Sequence, residues 1–145
     1  LAFHAVQKVE PNLVLVSGDA YPPREDVKAY YELCEEVVRF AKRLGVRDVI
    51  SVGGFLASTR TRKGVYVAYT SEDLGRRFLS AGARKMQSGR IVGPAGLIPA
   101  MAAEAGMRAA CLLSAVSSPF EDREASLSVL KVLLAALGLG IRPLS

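Results

Sequence analysis

This sequence is short of the side chains from which reactive sites are most often built. In 145 residues it holds one histidine, His4, and two cysteines, Cys34 and Cys111. Neither cysteine stands in C-x-x-C spacing or beside a histidine, which excludes the common zinc and dithiol motifs and implies no metal or cofactor. A buried free thiol behaves as a small hydrophobe, and that reading suits both, in keeping with a reducing cytoplasm. His4 has no serine or aspartate in a recognisable relation to it, so no triad is read and no catalytic residue is assigned. Long apolar runs are missing too. A membrane-spanning helix needs roughly 20 such residues, and the longest stretch, Val129 to Leu139, is broken by Lys131 and Gly138. No membrane association is expected. No basic-then-apolar leader opens the chain, and it begins at Leu1 rather than Met. The expectation is one domain over residues 1–145, lacking a natural N-terminal portion.

The net charge is +5, but the basic residues do not form a track. Arg60, Arg62 and Lys63 make one small cluster and Arg84 to Arg90 another, while the helical stretches interleave both signs. Without a basic run interspersed with aromatics, no nucleic-acid partner is expected, and the net charge bears on solubility.

What the chain does contain is alternation. Half of it is apolar, enough for a packed core in a chain of this length. Asn12 to Ser17 is a short Val/Leu run that predicts a buried strand entering a turn at Gly18-Asp19. Pro22-Pro23 excludes a helix over residues 20–24. Asp26 then offers an N-cap to a helix with Tyr30, Leu33, Cys34, Val37, Ala41 and Leu44 on one face, an expected Glu35–Arg39 pair opposite, and Gly45 as its stop. Strands are predicted over 46–53, ending at Gly53-Gly54, and over 64–69, separated by a polar basic loop. A helix opens at Thr70 or Ser71 and closes near Gly82. A short strand is expected over 90–93, then a helix from Leu97 with Pro99 in its first turn, ending before Gly106. A strand over 108–116 precedes a last helix to about Leu137. That helix is capped either by Ser118 with Glu121 in a capping box or by Asp122. This order predicts an α/β domain with helices on both faces of a mostly parallel sheet.

In open α/β sheets ligands sit beyond the carboxyl ends of the strands. The residues marking those ends here are Gly18 and Asp19, Gly53 and Gly54, and Gly93 with Gly96, and they are the crevice candidates. Gly93 to Gly96 before a helix is the best of these for holding an anion. The plainer reading of the same residues is tight turns that need small side chains. Asp19 is likewise read as a turn residue, Glu121 and Asp122 as helix-cap acids, and Tyr66 and Tyr69 as packing residues.

Taken together, Ile50-Ser-Val-Gly-Gly54, Val65 to Tyr69 with Thr70-Ser71, Ile91-Val-Gly-Pro-Ala-Gly-Leu97, Gly106 to Leu113 and Asp122 to Leu130 resemble the proteasome assembly chaperone two family. The likeness is greatest to its archaeal members and covers the C-terminal two-thirds of a typical one. The resemblance implies a three-layer α/β/α sandwich similar to the phosphorylase/hydrolase-like fold. It also implies a non-enzymatic role in which proteasome α-subunits are bound during ring assembly, with self-association into a homo-oligomer. Some members dock through a C-terminal hydrophobic-Tyr-X tail, and Arg142 to Ser145 depart from that pattern. Two enzyme readings stand beside it: a nucleoside- or phosphate-binding enzyme using the strand-end crevice, and an ATP-dependent ligase. The second has neither a phosphate-loop lysine motif nor a visible magnesium-binding carboxylate set.

Overall fold

The computed structural model describes residues 1–6, 11–20, 22, 23 and 25–140. Strands β1 (Ala2–Val6) and β2 (Leu13–Ser17) come first, followed by helix α1 (Val27–Arg43), strands β3 (Asp48–Leu56) and β4 (Val65–Tyr69), and helix α2 (Glu72–Ser80). The chain continues through the two-residue strand β5 (Arg84–Lys85), helix α3 (Pro94–Glu104), strand β6 (Arg108–Val116) and helix α4 (Arg123–Ala136). The tail residues Arg142 to Ser145 and part of the loop over 20–24 lie outside the described residues.

The main sheet has the order β3-β6-β4-β5. β3 and β6 run parallel, as do β4 and β5, while β4 is antiparallel to β6. Helices α1 and α3 cover one face and α2 and α4 the other, giving the expected three layers. The larger core lies on the α2/α4 face, where Val65, Val67, Leu112, Leu74, Phe78 and Val129 pack together. On the opposite face Val38, Ala102, Met107 and Ala109 form a smaller core. At the start of β3 and β6, Asp48 and Arg108 face each other in register and form a two-pronged ion pair at 2.6 and 2.8 Å. That fork is compatible with this register and adds to the apolar pattern that sets it.

Local chemistry explains most of the element boundaries. The Asp26 carboxylate accepts a hydrogen bond from the Ala29 amide at 2.9 Å, as an N-cap does. Gly45, at φ 71°, turns the chain out of α1 in the left-handed region. On the exposed face Arg39 pairs with Glu36, not with the expected Glu35; one turn of helix brings either within reach. Ser71 precedes α2 but makes no side-chain cap. The neighbouring Thr70 hydroxyl is engaged elsewhere, accepting from the Ala109 amide at 3.0 Å and donating to its carbonyl at 3.2 Å.

Three expectations for the strands are corrected, and one strand is additional. β1 was not anticipated, because its residues show no alternation; pairing with β2 creates it. β2 forms as expected but is not buried: among the described residues it pairs only with β1, in a separate antiparallel sheet, and Val14, Leu15 and Val16 are exposed. β3 does not stop at Gly53-Gly54 but runs through both to Leu56, held by unbroken pairing with β6. No strand forms over 90–93; the short strand is β5, where Met86 follows by donating to the Val67 carbonyl.

Helix α3 begins at Pro94, earlier than expected, so Pro99 sits inside it and is buried. Pro99 has no N–H to give the carbonyl four residues back, that of Ala95. The Ser51 hydroxyl of β3 donates to that same carbonyl. The bond left open by the proline is therefore closed by the sheet, and it pins α3 onto β3. Removing the hydroxyl with Ser51→Ala strands the carbonyl, and a loss of about 1–3 kcal/mol is expected. In a Pro99→Ala background an amide is restored and the same substitution is expected to cost markedly less. Urea denaturation of the four proteins in this cycle checks both.

Candidate functional site

The structure separates the sequence-predicted crevice residues into two groups. Gly18 and Asp19 are exposed at the end of β2, in the two-stranded sheet, with Leu1 packed 3.2 Å from where a Gly18 side chain would begin. Gly53 and the Gly93–Gly96 turn do come together. A Cβ on Gly53 would meet the Ala95 methyl at 3.5 Å, an ordinary contact distance, which places the start of α3 directly against the strand. Gly93 takes φ 86° as the N-cap of α3, a conformation that favours glycine. Gly96 is closer still: a Cβ there would lie 2.8 Å from the Ile91 carbonyl oxygen. Close packing thus accounts for the glycine at 96, whatever else the turn binds. Gly54 points to the opposite face, beside Val116.

Behind Ser51 lies Cys111, its register partner on β6. Burial pushes the Cys111 thiol upward, and the Ser51 hydroxyl opposes this only in part. Cys34, buried in α1, is also raised by burial. Both are therefore thiols rather than thiolates near neutral pH, the unreactive form. His4 is exposed on β1 opposite Leu15. Among the described residues no group of three His, Cys, Asp or Glu side chains is placed to hold a metal ion, and no helix is long and apolar enough to cross a membrane.

Two surface hollows stand out among the described residues. The larger, about 780 Å³, opens at the C-terminal ends of β3 and β6 on the α4 side. Val52, Gly54 and Leu56 form one wall, Val129, Leu130 and Leu133 of α4 the other, and the turn from Ser118 to Asp122 its end. Phe120 stands on that turn 84% exposed, an unusual place for a phenylalanine. The turn is ordered by its own polar groups. Ser118 accepts from the Phe120 amide at 3.2 Å, and Asp122 caps α4 by accepting from the Ala125 amide at 3.0 Å. Of the two caps left open by the sequence, Asp122 is the one used. Glu121 is exposed and makes no facing carboxylate pair with it.

The smaller hollow, about 700 Å³, was not legible in the sequence. It joins the two basic clusters, bringing Arg62, Arg84 and Lys85 around Phe55 and Tyr66. The Tyr66 hydroxyl donates to the Arg62 carbonyl at 2.6 Å and its ring meets Phe55 edge-on at 5.5 Å, so Tyr66 is a packing residue that also pins the basic loop. Tyr69 packs beneath Gly75, and Lys85 lies 5.2 Å from its ring centre. The signal that would have joined the clusters is the parallel pairing of β4 with β5, which short local patterns do not reveal.

The larger hollow offers an apolar trough with Glu121 and Asp122 at its end, and the smaller one a basic and aromatic contact surface. The PAC2 family model matches residues 2–144. The chain belongs to the PAC2 family. Among solved structures this PAC2 chain is similar to Pyrococcus furiosus PbaB, described as an archaeal proteasome activator, with 26% identity and a TM-score of 0.84 over 97% of this chain and 62% of that one. It is also similar to Pyrococcus furiosus PbaA, an archaeal homolog of proteasome-assembly chaperone, with 26% identity and a TM-score of 0.78 over 90% of this chain and 54% of that one. A PAC2 family protein from Streptomyces avermitilis shares 26% identity at a TM-score of 0.72, over 97% of this chain and 59% of that one. The PAC2 chain thus spans less than two-thirds of the length of each of these relatives, which come from both archaea and bacteria. A search of curated proteins found no match.

The turn bearing Phe120 has a testable pH dependence. The Asp122 carboxyl is held below the ordinary carboxylate range, chiefly by the Ala125 amide and further by the Ser117 amide and hydroxyl and the Lys63 charge. Its charged form is therefore favoured by folding. That stabilisation is complete above the unfolded carboxylate value of about 3.9 and is lost as pH falls through the lower folded value. Thermal melts are expected to show Asp122→Asn less stable than the parent at pH about 6, with the gap closing by pH about 2.

Proposed function

We propose that this protein is a proteasome-assembly-chaperone-like factor that binds proteasome α-subunits, or related partners, through its surface and catalyses no reaction. It works in the cytoplasm and self-associates. The observation that carries the reading is the PAC2 family match along nearly the whole chain, joined by the likeness to an archaeal homolog of proteasome-assembly chaperone. The groove between β3 and α4 supports it physically. An apolar trough ending in an exposed aromatic is the kind of surface on which protein partners anchor. The likeness to PbaB favours a second reading, in which the factor acts on the assembled proteasome as an activator. The two readings differ in the state of the partner, not in the chemistry of the surface.

Gel filtration of the full-length protein with free α-subunits from the same organism separates them. Co-elution with free α-subunits at about micromolar concentration is expected, and Phe120→Asp is expected to weaken the complex by roughly tenfold or more, as loss of an interface anchor does. Binding only to assembled proteasome, with faster peptide hydrolysis, would favour the activator reading. No complex with either form overturns both.

A further inference from the structure

The smaller hollow stands apart from the larger groove, with which it shares no lining residue. Register partners in a parallel ladder lie on the same face, so Arg84 of β5 stands beside Tyr66 of β4. Val67, next on β4, is buried in the core under α2 and α4, so Tyr66 and Arg84 face the other way. α2 and α4 pack on β4 from the Val67 side, while α3 packs on β3 and β6. The Tyr66 side of the sheet is thereby left partly open. Phe55, Tyr66 and Met86, each half-buried, are the apolar part of the hollow's lining.

The charged part of the lining is Arg62, Arg84 and Lys85, with no acidic residue among them. Of these and the neighbouring Lys63, the two lysines already have company. Lys63 helps to hold down the Asp122 carboxyl, and Lys85 lies over the Tyr69 ring with Glu72 acting on it. Neither arginine forms a salt bridge among the described residues. Arg84 is half-buried and donates one bond, to the Lys63 carbonyl at 3.3 Å. A guanidinium has five N–H donors, so most of that fork is unused. The loop bearing Arg62 is held by the Tyr66 hydroxyl and by a Ser58–Thr61 bond of 2.9 Å. Both arginines therefore stand on anchored backbone, which lowers the ordering cost of binding. Two such forks beside aromatic and thioether surface suit carboxylates carried on a partly apolar segment. A nucleic acid would need a longer track of cations, which this chain does not have.

We propose that this hollow is a second docking surface, and that its occupant is an extended acidic segment of a protein partner. The carboxylates of the segment meet Arg62 and Arg84, and its apolar side chains rest on Phe55, Tyr66 and Met86. This extends the reading of the protein as one that works by contact, and it does not depend on which protein the partner is.

Fluorescence anisotropy of the full-length protein with a labelled peptide alternating glutamate and leucine tests this without any proteasome subunit. Its outcome is therefore independent of the co-elution experiment. Saturable binding is expected, weakened roughly fivefold or more by Arg62→Gln and by Arg84→Gln. The side chain of Arg62 makes no hydrogen bond among the described residues, only its carbonyl does. Its variant is expected to melt like the parent, and carries the test even where Arg84→Gln is destabilised. Arg76→Gln, an equal change of charge on an exposed position of α2, is expected to alter binding by less than about twofold. An equal loss in all three variants would show general charge attraction and overturn the proposal, as would the absence of saturable binding. Tighter binding of a single-stranded oligonucleotide or of inorganic phosphate through the same arginines would assign the hollow to phosphate, and overturns it too.

Discussion

The pairing of β3 with β6 is the constraint on which the remaining structure depends. β6 is buried from Ala109 to Ala115, with β3 on one edge, β4 on the other, and helices over both faces. A strand so enclosed can present only apolar or internally bonded side chains. Its one buried polar side chain, Ser114, meets that condition by donating to the Ala125 carbonyl of α4 at 3.2 Å. A slip of one residue against β3 would exchange the two faces of the strand and part the Asp48–Arg108 fork. Because Ser51 and Cys111 are held opposite each other, the Ser51 hydroxyl arrives where the Ala95 carbonyl has lost its helical donor to Pro99. The placement of α3, and with it the Gly93–Gly96 turn, follows from that register.

The same register sets the surface presented to partners. β3 carries its odd-numbered side chains toward α3 and its even-numbered ones toward α4, so Val52, Gly54 and Leu56 become one wall of the larger groove. The other wall is the outer part of the α4 apolar face, and Asp122 fixes where that helix starts. Phe120 is thereby held on a short, internally bonded turn rather than on a long mobile loop. A protein that works by contact needs its anchors held in place, and here a cap and a strand register hold them.

Elements with a complete local signature were legible in advance. α1 had a capping aspartate, a helical stripe and a terminal glycine; the cap and the glycine act as their chemistry suggests, and of the stripe Cys34 and Val37 are buried while Leu44, at its end, is exposed. The stretch over 64–69 and the apolar run over 108–116 are legible as strands for the same reason. What misled was context. Gly53-Gly54 has the look of a strand end, yet neighbouring strand β6 carries pairing through it. Leu13 to Val16 has the look of a buried strand, and its exposure follows from the absence of a second neighbour. Of the crevice candidates, sequence located the turns but not their mutual distance, so it grouped Gly18 and Asp19 with glycines that belong to the other sheet.

By itself, then, the sequence determined the four helices, the strands β2, β3, β4 and β6, and the lack of any local motif for metal, phosphate or thiol chemistry. These rest on propensity, capping and spacing, all of which act within a few residues. Tertiary structure alone decided which strands pair and which glycines meet. It also decided where the hydroxyl of Ser51 is used, and that two basic clusters some 20 residues apart share one hollow. Those outcomes depend on contacts between residues far apart in the chain. Their stabilisation appears only once β6 is enclosed on every side.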